Sequence, residues 1–253
     1  MLYQHSTDAE LKFVVTDVTE ERADLARRKE FKFVVPGTDW LKLRRLLEVN
    51  ARPVVYNRRE SKVRSIYFDD ASLSACYANL NGLGQRDKLR LRWYDSLVPA
   101  RSFFVEIKWR RNRVTGKHRL AVTSSQPLGE LSYRQITAHL LDDLPVELRP
   151  VVLRYHEPTV LVEYSREHYL STDGAVRLTI DRDIAFFDQT GRRGINTRFR
   201  QPLEDLVLVE AKVGVGQEHL VQRMLYPFCL RTERCSKYVH GCQTLGLVSS
   251  RLG

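Results

Sequence analysis

The chain has 253 residues, 43% of them hydrophobic and 28% charged, a balance that supports a real core and excludes an intrinsically disordered polymer. Lysine and arginine number 41 against 31 aspartate and glutamate, a formal charge of +10. That favours an anionic partner (nucleic acid, acidic lipid or a phosphate compound), although a basic surface with no ligand would give the same count.

No apolar run reaches the length of a membrane-crossing helix. The segment Met1 to Glu10 lacks the basic-then-apolar order of a secretion signal, so a cytoplasmic location is expected. Cys76, Cys229, Cys235 and Cys242 contain no C-x-x-C pair and read as buried or incidental thiols, not as a disulfide framework.

Residues 1–27 form a lead-in, with a charged helix or loop expected over 17–29. A single domain is expected over 28–253, since no linker, repeat or low-complexity tract interrupts it. Period-two alternation of Val, Ile, Phe, Tyr and Leu predicts strands over 30–35, 62–69, 88–94, 103–110, 117–123, 150–155, 159–169, 176–187 and 206–213. The Thr115-Gly116 step predicts a hairpin turn. Helical spacing predicts helices over 38–49, 72–80, 132–141, 217–226 and 236–245, the first capped at Thr38-Asp39.

Charged residues recur at every second position inside the strands, and residues so spaced share one face. Glu30 and Lys32 do so, then Lys88, Arg90 and Arg92 with Leu89, Leu91 and Trp93 opposite. Glu106, Lys108 and Arg110 follow, then Lys117 and Arg119, Tyr164 and Arg166, Arg177, Thr179 and Asp181, and Glu210 and Lys212. One such strand is an ordinary half-solvated sheet. Strand after strand with lysine and arginine and isolated glutamates favours a polar lumen, because cationic rows that close repel unless a polyanion lies between them.

In this order, Glu30-Phe31-Lys32, Val63 to Asp69, Lys88 to Tyr94, Phe104 to Lys108, Pro158 to Arg166, Arg177 to Asp181, Val209 to Lys212 and Ser236-Lys237-Tyr238 resemble the VTC domain. That is the catalytic domain of the vacuolar transporter chaperone polyphosphate polymerase, a branch of the CYTH or triphosphate tunnel metalloenzyme superfamily. The resemblance implies an α+β fold: an antiparallel closed β-barrel tunnel with flanking helices and a C-terminal helix at one tunnel end.

It also implies transfer of the γ-phosphoryl group of ATP onto inorganic polyphosphate, with a divalent metal, manganese or magnesium, as cofactor. Matching positions put Lys32, Arg90, Arg92, Lys108, Arg166 and Arg177 on the phosphates and Glu210 on the metal. Ser236 and Lys237 close one end, Tyr164 matches a tunnel tyrosine, and Lys117 or Arg119 matches a further tunnel cation. Lys88, Arg110 and Lys212 complete the substrate-binding set on the same faces. Arg pairs two phosphate oxygens with its fork, while Lys acts as a point charge.

Hydrolytic members of the superfamily carry Glu-x-Glu-x-Lys, whereas this chain reads Arg28-Lys29-Glu30-Phe31-Lys32. The lost carboxylate tilts the reading from a triphosphatase, the alternative activity, toward a polymerase. A polyphosphate-binding module without activity is the remaining alternative. The sequence shows no nucleic-acid-binding signature. Any export of the product would need a separate membrane partner, which would hold the chain at the inner face of a membrane.

The seven histidines lack ligand spacing. Trp40, Phe186 and Phe187 read as core. The Arg192-Arg193 pair reads as a solvated loop, with an anion-gathering mouth as the less favoured option.

Overall fold

The computed structural model describes residues 11–17, 28–112, 114–228 and 231–249. Most of the helix or loop expected over 17–29 lies outside them. The strands are β1 (Phe13–Asp17), β2 (Arg28–Pro36), β3 (Ala51–Pro53), β4 (Glu60–Asp69), β5 (Gln85–Tyr94), β6 (Ser102–Arg111), β7 (Val114–Ser124), β8 (Glu157–Ser171), β9 (Val176–Asp188), β10 (Gln201–Pro202) and β11 (Leu206–Gly214). The helices are α1 (Trp40–Asn50), α2 (Ser74–Leu80), α3 (Tyr133–Asp143), α4 (Arg149–Arg154), α5 (Glu218–Leu225) and α6 (Lys237–Thr244). Among the described residues, no helix is long and apolar enough to cross a membrane.

All strands join one antiparallel sheet in the order β1-β7-β6-β5-β4-β8-β9-β11-β2, with β3 beside β8 and β10 beside β9. β1 and β2 are the two ends of this path and do not pair, so the closed barrel expected from sequence is replaced by an open sheet. The sheet is nevertheless deeply curled. Six strand spacings separate β6 from β2, about 29 Å if flat, yet Lys108 on β6 interacts electrostatically with Glu30 and Lys32 on β2.

Side-chain parity turns the curl into a two-faced wall. On the convex side, Leu89, Leu91, Val105 and Ile107 pack under Tyr133, Ile136 and Leu140 of α3 and Val152 of α4. Phe33, Val35, Leu178, Ile180, Val209 and Ala211 pack under Leu43 and Leu47 of α1 and Val221 and Met224 of α5. Helices thus cover the apolar face that a half-solvated sheet would turn toward a core, and the charged face lines the concavity. One end of that concavity is filled by α6, whose Tyr238, Val239 and Cys242 pack on Val63, Val160, Val162, Tyr164 and Leu208.

Two local expectations change. The strand expected over 150–155 is instead helical as far as Arg154, as α4: Pro150 stands in the first turn, where its missing N–H costs no hydrogen bond. Thr115-Gly116 is not a turn but pairs with Arg110 and Trp109 inside the hairpin, whose last pair is Arg111 with Val114, and Asn112 beyond it holds φ at 56°. Gly116 is required for packing, since a Cβ there would lie 2.2 Å from the Trp109 ring.

Phe186 and Phe187 are core residues, and Trp40 packs against the core beneath α1 with the Arg182 guanidinium 4.5 Å above its ring. Cys76 and Cys242 are buried free thiols. Cys229 lies outside the described residues.

Candidate functional site

The concave face holds two ion-pair clusters. In the first, Glu106 of β6, 2% exposed, is ringed by four cations. Its carboxylate oxygens lie 2.6 Å from Arg90 Nε, 3.6 Å from Arg92 Nε, 2.6 Å from Lys117 Nζ and 3.4 Å from Arg119 Nε. Burial alone would raise this carboxyl, but Arg90, Arg92 and Lys117 hold it well below the usual carboxylate range. Arg90 also donates to Tyr67 Oη (2.7 Å), and Arg92 to Ser65 Oγ (3.0 Å) and Tyr164 Oη (3.2 Å). Lys117 and Arg119, between which the sequence did not choose, both reach this carboxylate. Arg119 additionally lies 3.8 Å over the Phe104 ring.

In the second cluster, fully buried Asp181 of β9 binds Arg166 of β8 in a bidentate pair of 2.6 and 2.7 Å, and its Oδ2 lies 2.5 Å from Lys237 Nζ. Glu210 of β11 stands 3.4 Å from Lys32, 3.5 Å from Lys237 and 3.6 Å from Arg166. Burial would raise both carboxyls, but Arg166 and Lys237 lower Asp181, and Lys32, Lys237 and Arg166 hold Glu210 well below its ordinary value. Glu30 salt-bridges Lys32 at 3.0 Å and reaches Lys212 at 3.9 Å. His168, on the same face, is pushed down to about 4 by burial beside Arg166.

Between the clusters stands Lys88 of β5. It lies opposite Lys108 in the register, and its hydrogen-bond partner is Ser236 Oγ, 3.0 Å away. Burial, together with Lys108, Lys32, Arg86 and Arg90, pushes its ammonium well below the usual lysine range. No carboxylate among the described residues pairs with it, so the positive charge of the concavity is least compensated here.

The N-terminus of α6 completes this corner. Ser236 is its cap, accepting from Val239 N at 3.5 Å, and Lys237 lies 4.7 Å over the Tyr164 ring. Asp69, at the end of β4, fixes the helix: its Oδ2 accepts from Tyr238 Oη (2.6 Å), while its two oxygens accept from the backbone N–H groups of Ala75 and Cys76. The Tyr238 ring stacks on Tyr67 at 5.0 Å.

Lys32, Arg90, Arg92, Lys108, Arg166, Lys237, Lys88, Lys117, Arg119, Tyr164, Ser236 and Glu210 are thus brought to one concavity. Arg177 and Lys212 are cross-strand partners on its rim, and Arg177 is exposed. Arg110 is spent on the hairpin, its Nε donating to the Asn112 carbonyl (2.7 Å). Sequence reading left out Asp181, Asp69 and Thr179 as site residues. The alternation that marks Arg177 marks Asp181 and Thr179 equally, and the buried Thr179 hydroxyl has no hydrogen-bond partner.

The donors suit a metal only in part. Among the described residues no group of three or more His, Cys, Asp or Glu side chains could hold one. Glu106, enclosed by four cations, is unsuited to a metal. Glu210 stays ionised and lies near Glu30, which fits a metal that arrives already bound to phosphate oxygens.

Two solved structures align over most of their length at low similarity. The PH1819 protein from Pyrococcus horikoshii OT3 gives TM-score 0.43 and 11% identity, covering 86% of this chain and 98% of that one. A chain of the Schizosaccharomyces pombe Mediator head module gives TM-score 0.44 and 10% identity, covering 81% and 97%. A family model for the VTC domain matches residues 27–246, nearly all of the curled sheet together with α6. The chain belongs to the VTC domain family.

Proposed function

We propose that the concave face binds the triphosphate of ATP and transfers its γ-phosphoryl group to the end of an inorganic polyphosphate chain. Membership of the VTC domain family points to a polyphosphate-related function. The observation that carries the finer reading is the condition of the acids. Glu30, Glu106, Asp181 and Glu210 are all ion-paired and all shifted below their ordinary range.

A general base for water works best with a pKa near the operating pH. These carboxylates are held far from it, and His168 at about 4 is no better placed. The terminal phosphate of polyphosphate is already an anion and needs no base. What it needs is relief from repulsion by the nucleotide it attacks. Lys88, Lys32, Lys108 and Arg90 supply that without covalent chemistry.

In this reading Arg90 and Arg92, pre-set by Glu106, Tyr67 and Ser65, hold phosphate oxygens. Lys237, fixed by α6 and Asp181, closes the end. A divalent cation brought with the nucleotide would be held by Glu210 with help from Glu30, and would neutralise charge on the phosphate oxygens. The departing β-phosphate carries its own negative charge and leaves as ADP.

The test is incubation with ATP, manganese and a short polyphosphate primer, read by gel and by nucleotide analysis. ADP with a lengthening ladder is expected. Stoichiometric orthophosphate without polymer would assign a triphosphatase. Binding of polyphosphate without ADP formation would assign a non-catalytic module.

A further inference from the structure

A second basic feature lies outside the concavity, on the connection from β9 to β10. Arg192, Arg193 and Arg198 line one depression of about 570 Å³ with Ile195, Asn196 and Phe199, and its lining contains no acidic residue. None of the three arginines is ion-paired among the described residues, and all three are exposed. Phe199 is 81% exposed and holds φ at +57°, a backbone conformation that is strained for a bulky residue.

The segment is firmly built. Buried Gln189 accepts from Tyr133 Oη (2.6 Å) and from the Asn196 backbone N–H (2.8 Å), and donates to the Asn196 carbonyl (2.7 Å). Asn196 Nδ2 donates to the Asp188 carbonyl (2.9 Å), and Tyr133 N to the Arg193 carbonyl (2.8 Å). This strained, exposed aromatic therefore sits on a rigid base among unpaired cations.

We infer that this loop is a docking surface for an anionic lipid bilayer. The arginines meet acidic headgroups, and the Phe199 ring enters the headgroup boundary. A small soluble phosphate would use the arginines but would leave Phe199 in water and the open depression unfilled. A bilayer uses all of them, since aromatic rings and cations both favour that interface. The inference is independent of the reaction proposed for the concave face.

The test is flotation of the whole chain with vesicles of phosphatidylcholine alone and of phosphatidylcholine mixed with phosphatidylserine, at low and high salt. Preferential partition to the acidic vesicles, weakened by salt, is expected. Each of Arg192→Ser, Arg193→Ser and Arg198→Ser should reduce it roughly fivefold.

Phe199→Gly should reduce partition as well while keeping or raising the melting temperature, because glycine accepts the positive φ. Tripolyphosphate affinity should be the same in all these variants. Equal partition to both vesicle types, or parent-like flotation of the arginine variants, would overturn the inference. So would loss of tripolyphosphate binding in the arginine variants with flotation intact, which would make the loop a site for soluble phosphate.

Discussion

The Lys88 ammonium lies 3.0 Å from Ser236 Oγ, joining the middle of β5 to the cap of α6 at the point where the concavity holds its least compensated charge. Crowding by Lys108, Lys32, Arg86 and Arg90 makes that charge a cost to the ligand-free fold. Lys88→Met keeps the bulk and removes the charge, so the ligand-free protein should melt higher at neutral pH. A rise of about 2–4 °C would correspond to roughly 1 kcal/mol. A clear fall in melting temperature would mean that the Ser236 bond outweighs the repulsion.

The same lysine sets a pH signature. Its folded pKa is depressed below the unfolded value of about 10.4, so between the two values the unfolded chain binds the extra proton. Stability of the ligand-free protein should therefore rise with pH across that interval. A bound polyanion restores the charged form, so tripolyphosphate binding should take up protons on the alkaline side and weaken as pH rises further. Calorimetric titration in two buffers of different ionisation enthalpy measures the uptake. The Lys88→Met protein should take up fewer protons than the parent, the remainder coming from Lys108 and Lys117, whose ammoniums burial also lowers.

Glu106 is the opposite case, a buried anion that four cations need. Glu106→Gln should cost about 3–5 kcal/mol, the usual cost of breaking a buried ion pair from one side. Tripolyphosphate should raise the melting temperature more in this variant than in the parent, because it supplies the missing negative charge. A variant that melts like the parent would show that the four cations disperse into solvent. Arg90→Ala, which repulsion among crowded cations alone would make stabilising or nearly neutral for the ligand-free fold, should instead destabilise it, since Arg90 binds both Glu106 and Tyr67.

The placement of α6 is testable through one glycine. A Cβ on Gly241 would lie 2.7 Å from Val160 Cγ1 and 2.9 Å from Phe186 Cδ1. Gly241→Ala should therefore push α6 off the sheet, cost about 1–3 kcal/mol and weaken triphosphate binding by moving Ser236 and Lys237. Gly116→Ala, which crowds Trp109 on the convex side, should carry a comparable stability cost with affinity retained. Equal affinity in both variants would remove α6 from the binding site.

Much of this arrangement was legible in the sequence because strand parity is local. Leu89, Leu91 and Trp93 had to face opposite to Lys88, Arg90 and Arg92, and in the structure they do. What parity could not supply was the long-range closure. Whether β1 meets β2 depends on the curl accumulated over the whole sheet, and that left the expected barrel open.

Local propensity also misled where packing or position decides. Val151 and Val152 look β-forming, but Pro150 opens a helix there. Gly116 looks like a turn but is the space for an indole. Asp181 is legible only as a residue on the strand face of Arg177 and Thr179. Its burial beneath Arg166 and Lys237 comes from α6 folding back across β9, a contact no local pattern encodes.

The most direct measurement is calorimetric titration of tripolyphosphate into the parent protein and into Lys88→Met, at one pH and ionic strength. Loss of one charge-assisted contact of about 1.5–3 kcal/mol should weaken binding roughly tenfold or more, while the ligand-free variant stays folded and melts no lower. Unchanged affinity in a folded Lys88→Met protein would contradict a phosphate chain lying along the concave face.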